Sequence, residues 1–196
     1  MKKRLYTDYQ QYLAHQVEKT SRKSTIRRME SKRTCELRRF RKVFTMLLPY
    51  LPEQSRVLCL GARYGYEVEA FAHYRFKGVR RQYRAVGIDL VPHPPWVVYG
   101  DMHAIPFSTA EFDLVYSNSL DHVHDLSQVL SEVRRVLVRR GLILFHLALN
   151  QFQDYESLAF ESIAEVMQEL PDFRKLVTIR SLRSGLNCRL LLRRRG

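Results

Sequence analysis

An apolar run that ends in a glycine turn, Val57-Leu-Cys-Leu-Gly-Ala-Arg-Tyr-Gly65, constrains the fold of this chain more than any other feature. Two further apolar runs follow, and each ends in an acid, at Gly87-Ile-Asp89 and Gly100-Asp101-Met102. In an open α/β sheet, ligands bind beyond the carboxyl ends of the strands, where glycine lets the backbone approach closely and an acid binds a ribose. The ordered set therefore predicts a nucleoside-shaped ligand along one edge of a sheet.

Strand and helix signals alternate from residue 57 onward. Strands are predicted over 57–61, 85–89, 96–99, 112–117 and 141–149, with helices over 67–73, 126–137 and 155–170. Such alternation predicts a parallel sheet with crossover helices. The last two segments, 173–180 and 187–193, are predicted to form a hairpin joined through Ser184-Gly185, which makes one of them antiparallel to the rest of the sheet.

The first 50 residues predict a basic helical extension ahead of a domain over residues 51–196. Apolar residues recur at helical spacing over 6–17 and again over 37–48. The segment 19–28 between them is polar and basic with no apolar face, so we expect it to be mobile or bound to a partner. Pro49 and Pro52 end the second helix, because proline cannot continue the hydrogen-bond ladder.

The net charge of +13 is concentrated at the two ends of the chain. Residues 1–50 carry 14 Lys and Arg against 4 acids, residues 51–173 carry 11 against 16, and residues 174–196 carry 8 against none. This distribution predicts contacts with RNA or another polyanion through the basic ends, chiefly Arg22 to Arg33 and Arg193 to Arg195. The alternative is a solvated, arginine-rich surface.

The cysteines and the hydropathy pattern exclude several classes of protein. Cys35, Cys59 and Cys188 are scattered and odd in number, with no ligand spacing, so neither a disulfide framework nor a metal site is expected. No apolar run approaches the roughly 20 residues that span a bilayer. A charged start without an apolar stretch also lacks the pattern of a secretory signal. We therefore expect an intracellular protein, in the cytoplasm, without a membrane partner.

The glycine turn and the two acids, together with later blocks, resemble the class I S-adenosylmethionine-dependent methyltransferases. The later blocks are Ile105-Pro-Phe, Glu111-Phe-Asp-Leu-Val-Tyr-Ser-Asn118 and Gly141-Leu-Ile-Leu-Phe145. The resemblance implies a Rossmann-like, doubly wound α/β sheet, mostly parallel with an antiparallel C-terminal strand and preceded by N-terminal helices. It also implies S-adenosylmethionine as cofactor, and a methyl acceptor that is a small molecule or is presented by a macromolecular partner.

The same resemblance implies a set of cofactor-binding residues. Asp89 accepts the ribose hydroxyls, Asp101 takes the exocyclic amine of adenine, and Met102 packs on the ring. The complete set expected at the cofactor is Gly61, Ala62, Arg63, Gly65, Asp89, Leu90, Asp101, Met102, His103 and Asn118, with His15 and Lys19 from the N-terminal extension.

Arg63 is the departure from the family pattern, because many members have a glycine at this middle position of the turn. Arginine offers a planar, bidentate donor, so Arg63 could bind the methionine carboxylate of the cofactor. Its side chain could equally point into solvent. Glu67, one turn into the following helix, could instead hold the methionine ammonium.

Two groups outside the glycine turn are candidates for further roles. His15 and Lys19 lie four residues apart on one helical face, in a leading helix that would cover the cofactor as a lid; the alternative is an exposed polar face. Asp121 and His122 follow the fourth predicted strand and could form a catalytic base dyad. In the competing interpretation, Asp125 caps the next helix and His122 only packs beneath the cofactor.

Two other functions compete with methyl transfer. An NAD-dependent oxidoreductase also uses a glycine turn and a ribose acid, but the GxGxxG fingerprint is incomplete here. A non-catalytic methyltransferase-like module could act on RNA or protein through the basic ends. The sequence at 117–120 is Ser-Asn-Ser-Leu rather than the Asn-Pro-Pro-Tyr type of motif, which argues against methylation of amino groups on bases or glutamine.

Overall fold

The computed structural model describes residues 1–21, 23–152, 154–180 and 187–196. Five helices and eleven strands are formed within these ranges, and two short 3-10 turns, Thr45–Leu47 and Leu120–His122, accompany them. In chain order they are β1 Lys2–Lys3, α1 Tyr9–Ser21, α2 Lys23–Phe44, β2 Arg56–Leu60, α3 Tyr66–Ala72, β3 Arg75–Phe76, β4 Val79–Arg80, β5 Arg84–Asp89, β6 Val97–Tyr99, β7 Phe112–Ser117, α4 Leu126–Val136, β8 Leu137–Leu147, β9 Leu158–Ala159, α5 Ile163–Gln168, β10 Phe173–Arg180 and β11 Cys188–Arg194.

Seven strands form the main sheet, in the order β10-β11-β8-β7-β2-β5-β6. The pairs from β8 to β6 are all parallel, whereas β11 is antiparallel to both of its neighbours. The chain enters at β2, fills one side with β5 and β6, and then crosses to β7 and β8. This reversal next to β2 is the topological switch point where such sheets bind ligands. The predicted mostly parallel α/β sheet with an antiparallel C-terminal strand is confirmed.

The sheet is buried on both faces, and the alternation along β2 shows why. Leu58 and Leu60 lie in the core layer that includes α4 and α5, whereas Val57 and Cys59 lie in the layer that includes α2 and α3. Successive strand residues point to opposite faces, so a strand covered on both sides is apolar throughout. The run Val57-Leu-Cys-Leu60 therefore specifies a central strand.

The N-terminal helices are held against the sheet by an aromatic cluster and by a short strand. Phe44 of α2 stacks on Phe71 of α3 with ring centroids 3.6 Å apart, and both rings are buried. Upstream, β1 pairs antiparallel with β9, and the hydroxyls of Tyr6 and Ser157 lie 3.0 Å apart. These contacts place α1 across the carboxyl edge of the sheet.

Two predicted segments differ from the structure. The segment 19–28, expected to be mobile or bound to a partner, is helical at every position that the structure describes, while Arg22 lies outside the described residues. Arginine and lysine are good helix formers, which explains a helix without an apolar face. The helix predicted over 155–170 is reduced to α5. Leu158, Ala159 and Phe160 are all buried in succession, and one helical face cannot bury three consecutive side chains.

The elements predicted over 57–149, together with the strands predicted over 173–180 and 187–193, agree with the structure to within a few residues at their ends. In contrast, α2 begins 14 residues before the predicted 37–48, and the short strands β1, β3, β4 and β9 were not predicted. The strands predicted over 112–117 and 173–180 have the observed limits. Ser184 and Gly185, the predicted hairpin turn, lie outside the described residues. None of the helices in the described ranges combines the length and the apolar character that crossing a membrane requires.

The Phe44–Phe71 stack generates a stability prediction. Phe44→Ala leaves a cavity between α2 and α3 and should lower the free energy of unfolding by about 3–5 kcal/mol. Urea unfolding followed by circular dichroism measures this change. Phe76→Ala is the matched control, because Phe76 is 37% exposed on the small β3–β4 hairpin and its loss should cost far less. Equal losses in the two variants would contradict the proposed anchoring of α2.

Candidate functional site

A cavity of about 500 Å³ opens at the carboxyl edge of the sheet, beneath α1. Loops after β2, β5, β6 and β7 form its floor, and α1 contributes its roof. The lining residues are Tyr12, Gln16, Gly61, Arg63, Asp89, Leu90, Gly100, Asp101, Met102, Ser119 and His122. Six of the expected cofactor-binding residues are therefore brought together here; we call this space the nucleoside cavity.

A second cavity of about 800 Å³ adjoins the first and extends under α2. The two share Gly61, Arg63, Ser119 and His122. The other residues that line it are Lys19, Met29, Glu36, Arg39, Phe40, Ala62, Tyr64, Tyr66, Glu67 and Asn118. We call it the α2 chamber; it receives Ala62, Asn118 and Lys19 from the expected set.

The glycine turn brings the backbone close to the β7 loop. Gly61 has a φ of 67°, and a Cβ at this position would lie 2.8 Å from the side chain of Ser119. Gly65 has a φ of 70° and caps α3, where a Cβ would lie 2.7 Å from Trp96. Arg63 between them also has a positive φ, of 38°, which costs a side-chain-bearing residue about 1–2 kcal/mol. The turn thus keeps a left-handed backbone at the position where the glycine of the family pattern is missing.

Asp89 ties the end of β5 to this turn. Its Oδ2 accepts the main-chain N–H of Arg63 at 3.0 Å, and its Oδ1 accepts that of Val91 at 2.9 Å. Burial raises the pKa of Asp89 above its ordinary value, while the two amides and the charge of Arg63 act in the opposite direction. A carboxylate has about four lone-pair sites, so two remain for groups in the nucleoside cavity.

Asp101 is held by α1 and by its own loop. Tyr9 donates its hydroxyl to Oδ2, and His103 donates both its main-chain N–H and its Nδ1–H to Oδ1, each at 2.8 Å. The Nε2 of His103 accepts the amides of His124 and Asp125, which fixes the proton on Nδ1. Although burial raises the pKa of Asp101, the hydrogen bonds from His103 and Tyr9 bring it below its ordinary value. His103 therefore supports the site from behind Asp101 and does not line either cavity.

His122 lies between the two cavities with both ring nitrogens engaged. Its Nδ1–H donates to the carbonyl of Tyr155 at 2.9 Å, and its Nε2 lies 2.8 Å from the ammonium of Lys19. The nearest carboxylate oxygen of Asp121 is 3.7 Å from Nε2, so the hydrogen bond of the predicted dyad is not formed. Burial, reinforced by Lys19, lowers the pKa of His122 to about 4. Burial raises that of Asp121 to about 6.

The competing interpretation of this loop has partial support. The side chain of Asp125 accepts the amide of Gln128 at 3.0 Å and caps α4. Asp121, His122 and Glu156 do place potential metal-ligand atoms within 4.8 Å of one another. The Lys19 ammonium, however, already occupies the Nε2 of His122, so a cation is in place at this cluster. A catalytic role for Asp121 or His122 stays a prediction.

The lid face predicted from α1 is divided between two environments. Lys19 reaches the α2 chamber, but His15 lines neither this chamber nor the nucleoside cavity. Its Nδ1 lies 3.0 Å from the Tyr6 hydroxyl, and its ring stacks on Tyr155 at 5.2 Å. The residues of α1 that do line the nucleoside cavity, Tyr12 and Gln16, were not in the expected set. Their spacing of four, on the same helix as Lys19, is the signal that could have indicated them.

Comparisons with known proteins show what the central part of the chain is similar to. Residues 58–145 match the family model described as "Methyltransferase domain". The malonyl-[acyl-carrier protein] O-methyltransferase of Halorhodospira halophila is 31% identical over 121 residues, which cover 53% of this chain and 38% of that protein. The chain thus spans less than half the length of this relative.

Solved structures share the fold over most of the chain. The 1,6-didemethyltoxoflavin-N1-methyltransferase of Burkholderia thailandensis, with 1,6-didemethyltoxoflavin and S-adenosylhomocysteine bound, superimposes with a TM-score of 0.74 at 16% identity, covering 98% of this chain and 93% of that one. A SAM-dependent methyltransferase from Aquifex aeolicus gives 0.61 at 17% identity, covering 87% and 96%. The glycine turn, Asp89 and the strand order lie on the same edge, and the family match, the relative and the shared fold all support a class I S-adenosylmethionine-dependent methyltransferase.

Proposed function

We propose that this protein transfers the methyl group of S-adenosylmethionine to a small organic acceptor that enters the α2 chamber. The observation that carries the proposal is the Asp89 carboxylate, fixed by two amides at the switch point with lone pairs left for the two hydroxyls of a ribose. The family match and the shared fold support it. When bound, the cofactor supplies a methyl group on a sulfonium, which is a good leaving group.

The residues of this chain then act mainly by positioning. Asp89 would hold the ribose, Leu90 and Met102 would pack against adenine, and Asp101 would face the exocyclic amine. Arg63 would reach the carboxylate at the amino-acid end, from the junction of the two cavities. Holding nucleophile and methyl group in line can lower the barrier by several kcal/mol without a protein base. His122, neutral near pH 7 and bonded at both nitrogens, would orient Lys19 in this arrangement.

The walls of the α2 chamber support a small organic acceptor. Met29, Phe40 and two tyrosines supply apolar surface, while Asn118 and charged side chains that include Lys19, Arg39 and Glu67 supply polar groups. Ligand pockets of this kind combine an apolar lining with a few polar groups that fix orientation. The relatives named above act on a malonyl group carried by a protein and on 1,6-didemethyltoxoflavin. An acceptor that is free, or carried by a partner, fits both precedents.

Residues 1–50 would form a lid over this site, ahead of the methyltransferase domain at 51–196. The lid closes through Tyr9 on Asp101 and Lys19 on His122. Both contacts join α1 to residues that line the nucleoside cavity, so we expect them to loosen when the cofactor enters. The alternative is a non-catalytic methyltransferase-like module that acts on RNA or protein; failure of the wild-type protein to bind S-adenosylmethionine, or absence of turnover with any acceptor, would support it.

The first prediction concerns the ribose contact. Calorimetric titration of the wild-type protein should show binding of S-adenosylmethionine and S-adenosylhomocysteine but not of NAD. Asp89→Ala should weaken S-adenosylhomocysteine at least about tenfold, because a hydrogen bond to a charged group contributes about 1.5–3 kcal/mol. Asp113→Ala is the control, since Asp113 also accepts a main-chain amide, that of Arg56, but at the opposite edge of the sheet. If a folded Asp89→Ala variant binds S-adenosylhomocysteine with unchanged affinity, Asp89 does not bind the ribose.

The second prediction separates the side chain of Arg63 from its backbone. Arg63→Gly removes the guanidinium and suits the left-handed backbone, so the turn should survive. It should weaken S-adenosylmethionine about 10-fold or more and leave adenosine, which has no carboxylate, unchanged. Arg140→Gly is the control, because Arg140 has a φ of 63° far from the site. An equal effect on both ligands, or on neither, would show that Arg63 does not bind the carboxylate.

A second candidate function, binding of RNA through its phosphates, is favoured by the arginines along the amino edge of the sheet, opposite the site. Arg56 and Arg84 occupy paired positions at the starts of β2 and β5, and Arg174 pairs with Arg193 across β10 and β11. A surface hollow of about 940 Å³ is lined by Arg140, Arg174, Arg193, Arg194, Arg195 and Gly196. Arginine binds phosphate oxygens bidentately, and such contacts carry no sequence information.

The third prediction tests this edge. Replacing the exposed Arg140, Arg174 and Arg195 together by glutamine should weaken binding of single-stranded RNA. It should also reduce the slope of log affinity against log salt by about 2, because each lost phosphate contact removes about 0.7. The control replaces three exposed cations of the β3–β4 hairpin, Arg75, Lys77 and Arg80. Identical salt slopes for the two triple variants would exclude the amino edge as the RNA-binding surface.

A further inference from the structure

Glu67 presents a buried carboxyl to the α2 chamber. It lies in the first turn of α3, is only 5% exposed, and lines the chamber beside the glycine turn. The main-chain N–H of Glu67 itself donates to this carboxyl, but within the described part of the chain no other side chain donates a hydrogen bond to it or forms an ion pair with it. Buried acids are usually paired with a cation. A buried carboxyl that faces a cavity without an ion-pair partner therefore indicates a cationic ligand group that binds there.

The charged groups around Glu67 leave it without compensation. The charge of Arg39 on α2 lowers the pKa of Glu67, but this guanidinium is paired with Glu36 at 3.0 Å. Asp89 on β5 adds negative potential, and the neighbours on β2 and β7, Cys59 and Tyr116, are uncharged thiol and phenol groups. Burial, followed by the effect of Asp89, raises the pKa of Glu67 to about 8. The local field thus favours a cationic ligand.

We propose that the Glu67 carboxylate binds the primary ammonium at the amino-acid end of the cofactor. This inference rests on the proposed function. Gly61 and Arg63 line both cavities, and Glu67 lines the α2 chamber. The 5′ substituent of a nucleoside bound to Asp89 would therefore pass Gly61 and Arg63 and reach the chamber that Glu67 faces. Within the described residues, the guanidinium of Arg63 forms no hydrogen bond or ion pair with another side chain. The Glu67 carboxylate can bind the ammonium of an amino acid, and the Arg63 guanidinium can bind its carboxylate, so the two side chains together match a zwitterion.

Proton release follows from this assignment. Near pH 7 the free protein holds a proton on Glu67, whereas an ammonium at hydrogen-bonding distance favours the ionised carboxylate. Binding therefore transfers one proton from the Glu67 carboxyl to the buffer, while the ligand keeps its ammonium. Between pH 6 and 8, the affinity for the cofactor should rise with pH because less of the binding energy goes into removing this proton.

The experiment is calorimetric titration of S-adenosylhomocysteine at pH 7 in two buffers of different ionisation enthalpy. The wild-type protein should release close to one proton per ligand, because a carboxyl whose pKa is raised above 7 is mostly protonated in the free protein. Glu67→Gln should release none and should bind about 10- to 100-fold more weakly. An S-adenosylhomocysteine analogue with hydrogen in place of the amino group should bind wild type and Glu67→Gln equally. Glu69→Gln is the control, because Glu69 pairs with Arg33 at the surface and should behave as wild type.

The outcomes separate the inference from the proposed function. If wild type binds neither S-adenosylmethionine nor S-adenosylhomocysteine, the proposed function fails and the inference fails with it. If wild type binds but Glu67→Gln loses the same factor for both ligands, or loses nothing, only the assignment of Glu67 is overturned. Urea unfolding at pH 6 establishes whether the Glu67→Gln variant is folded. At this pH Glu67 is protonated and nearly isosteric with glutamine, so a folded variant should have an unfolding midpoint close to that of the wild type.

Discussion

The carboxylate of Asp89 is the constraint on which the rest of the site depends. It accepts one amide from the glycine turn and one from its own loop, and so joins the ends of β2 and β5 on either side of the nucleoside cavity. The bond to the turn is made by the main chain, so it is compatible with a side chain at residue 63. This explains how the turn can keep its path with arginine where glycine is usual. The positive φ of Arg63 is the strain that this arrangement stores.

The covering helices depend on the same edge through a second acid. Asp101 receives Tyr9 from α1 and His103 from its own loop, while Lys19, one helical turn past Gln16, reaches His122. The Tyr9–Asp101 and Lys19–His122 contacts each join a side chain of α1 to a residue at the edge of the sheet, so α1 is attached to the site by polar contacts. In contrast, α2 is attached to the core by stacked aromatic rings. Water can replace polar contacts at the surface more easily than it can replace the packing of buried rings. We therefore expect α1, and not α2, to move away from the site when it opens.

Much of the sheet could be predicted because buried parallel strands are continuous apolar runs that end at turn residues. The run at 57–61 and the acids at 89 and 101 therefore gave both strand positions and the side of the sheet where they meet. What could not be predicted involves contacts between distant segments. The pairing of β1 with β9 replaced part of the helix expected at 155–170. Helical spacing alone also could not distinguish Lys19, which reaches the α2 chamber, from His15, which reaches neither cavity.

The separation of Asp121 from His122 was also beyond reach of the sequence. Adjacent acid and imidazole groups suggest a dyad, but Nδ1 is taken by the carbonyl of Tyr155, more than thirty residues along the chain. Glu67 shows the opposite case. Its position next to the glycine turn follows from the sequence. In contrast, the absence of a cation paired with Glu67 depends on the packing of α2, where Arg39 pairs with Glu36 instead.

A crystal structure of the wild-type protein with S-adenosylhomocysteine bound tests the central claim most directly. If Asp89 binds the ribose, both ribose hydroxyls will lie within hydrogen-bonding distance of its carboxylate, with the amides of Arg63 and Val91 still bonded to it. We also expect the adenine ring to lie between Leu90 and Met102. A ligand bound elsewhere, or a ribose held by other groups while Asp89 keeps only its two amides, would contradict the account.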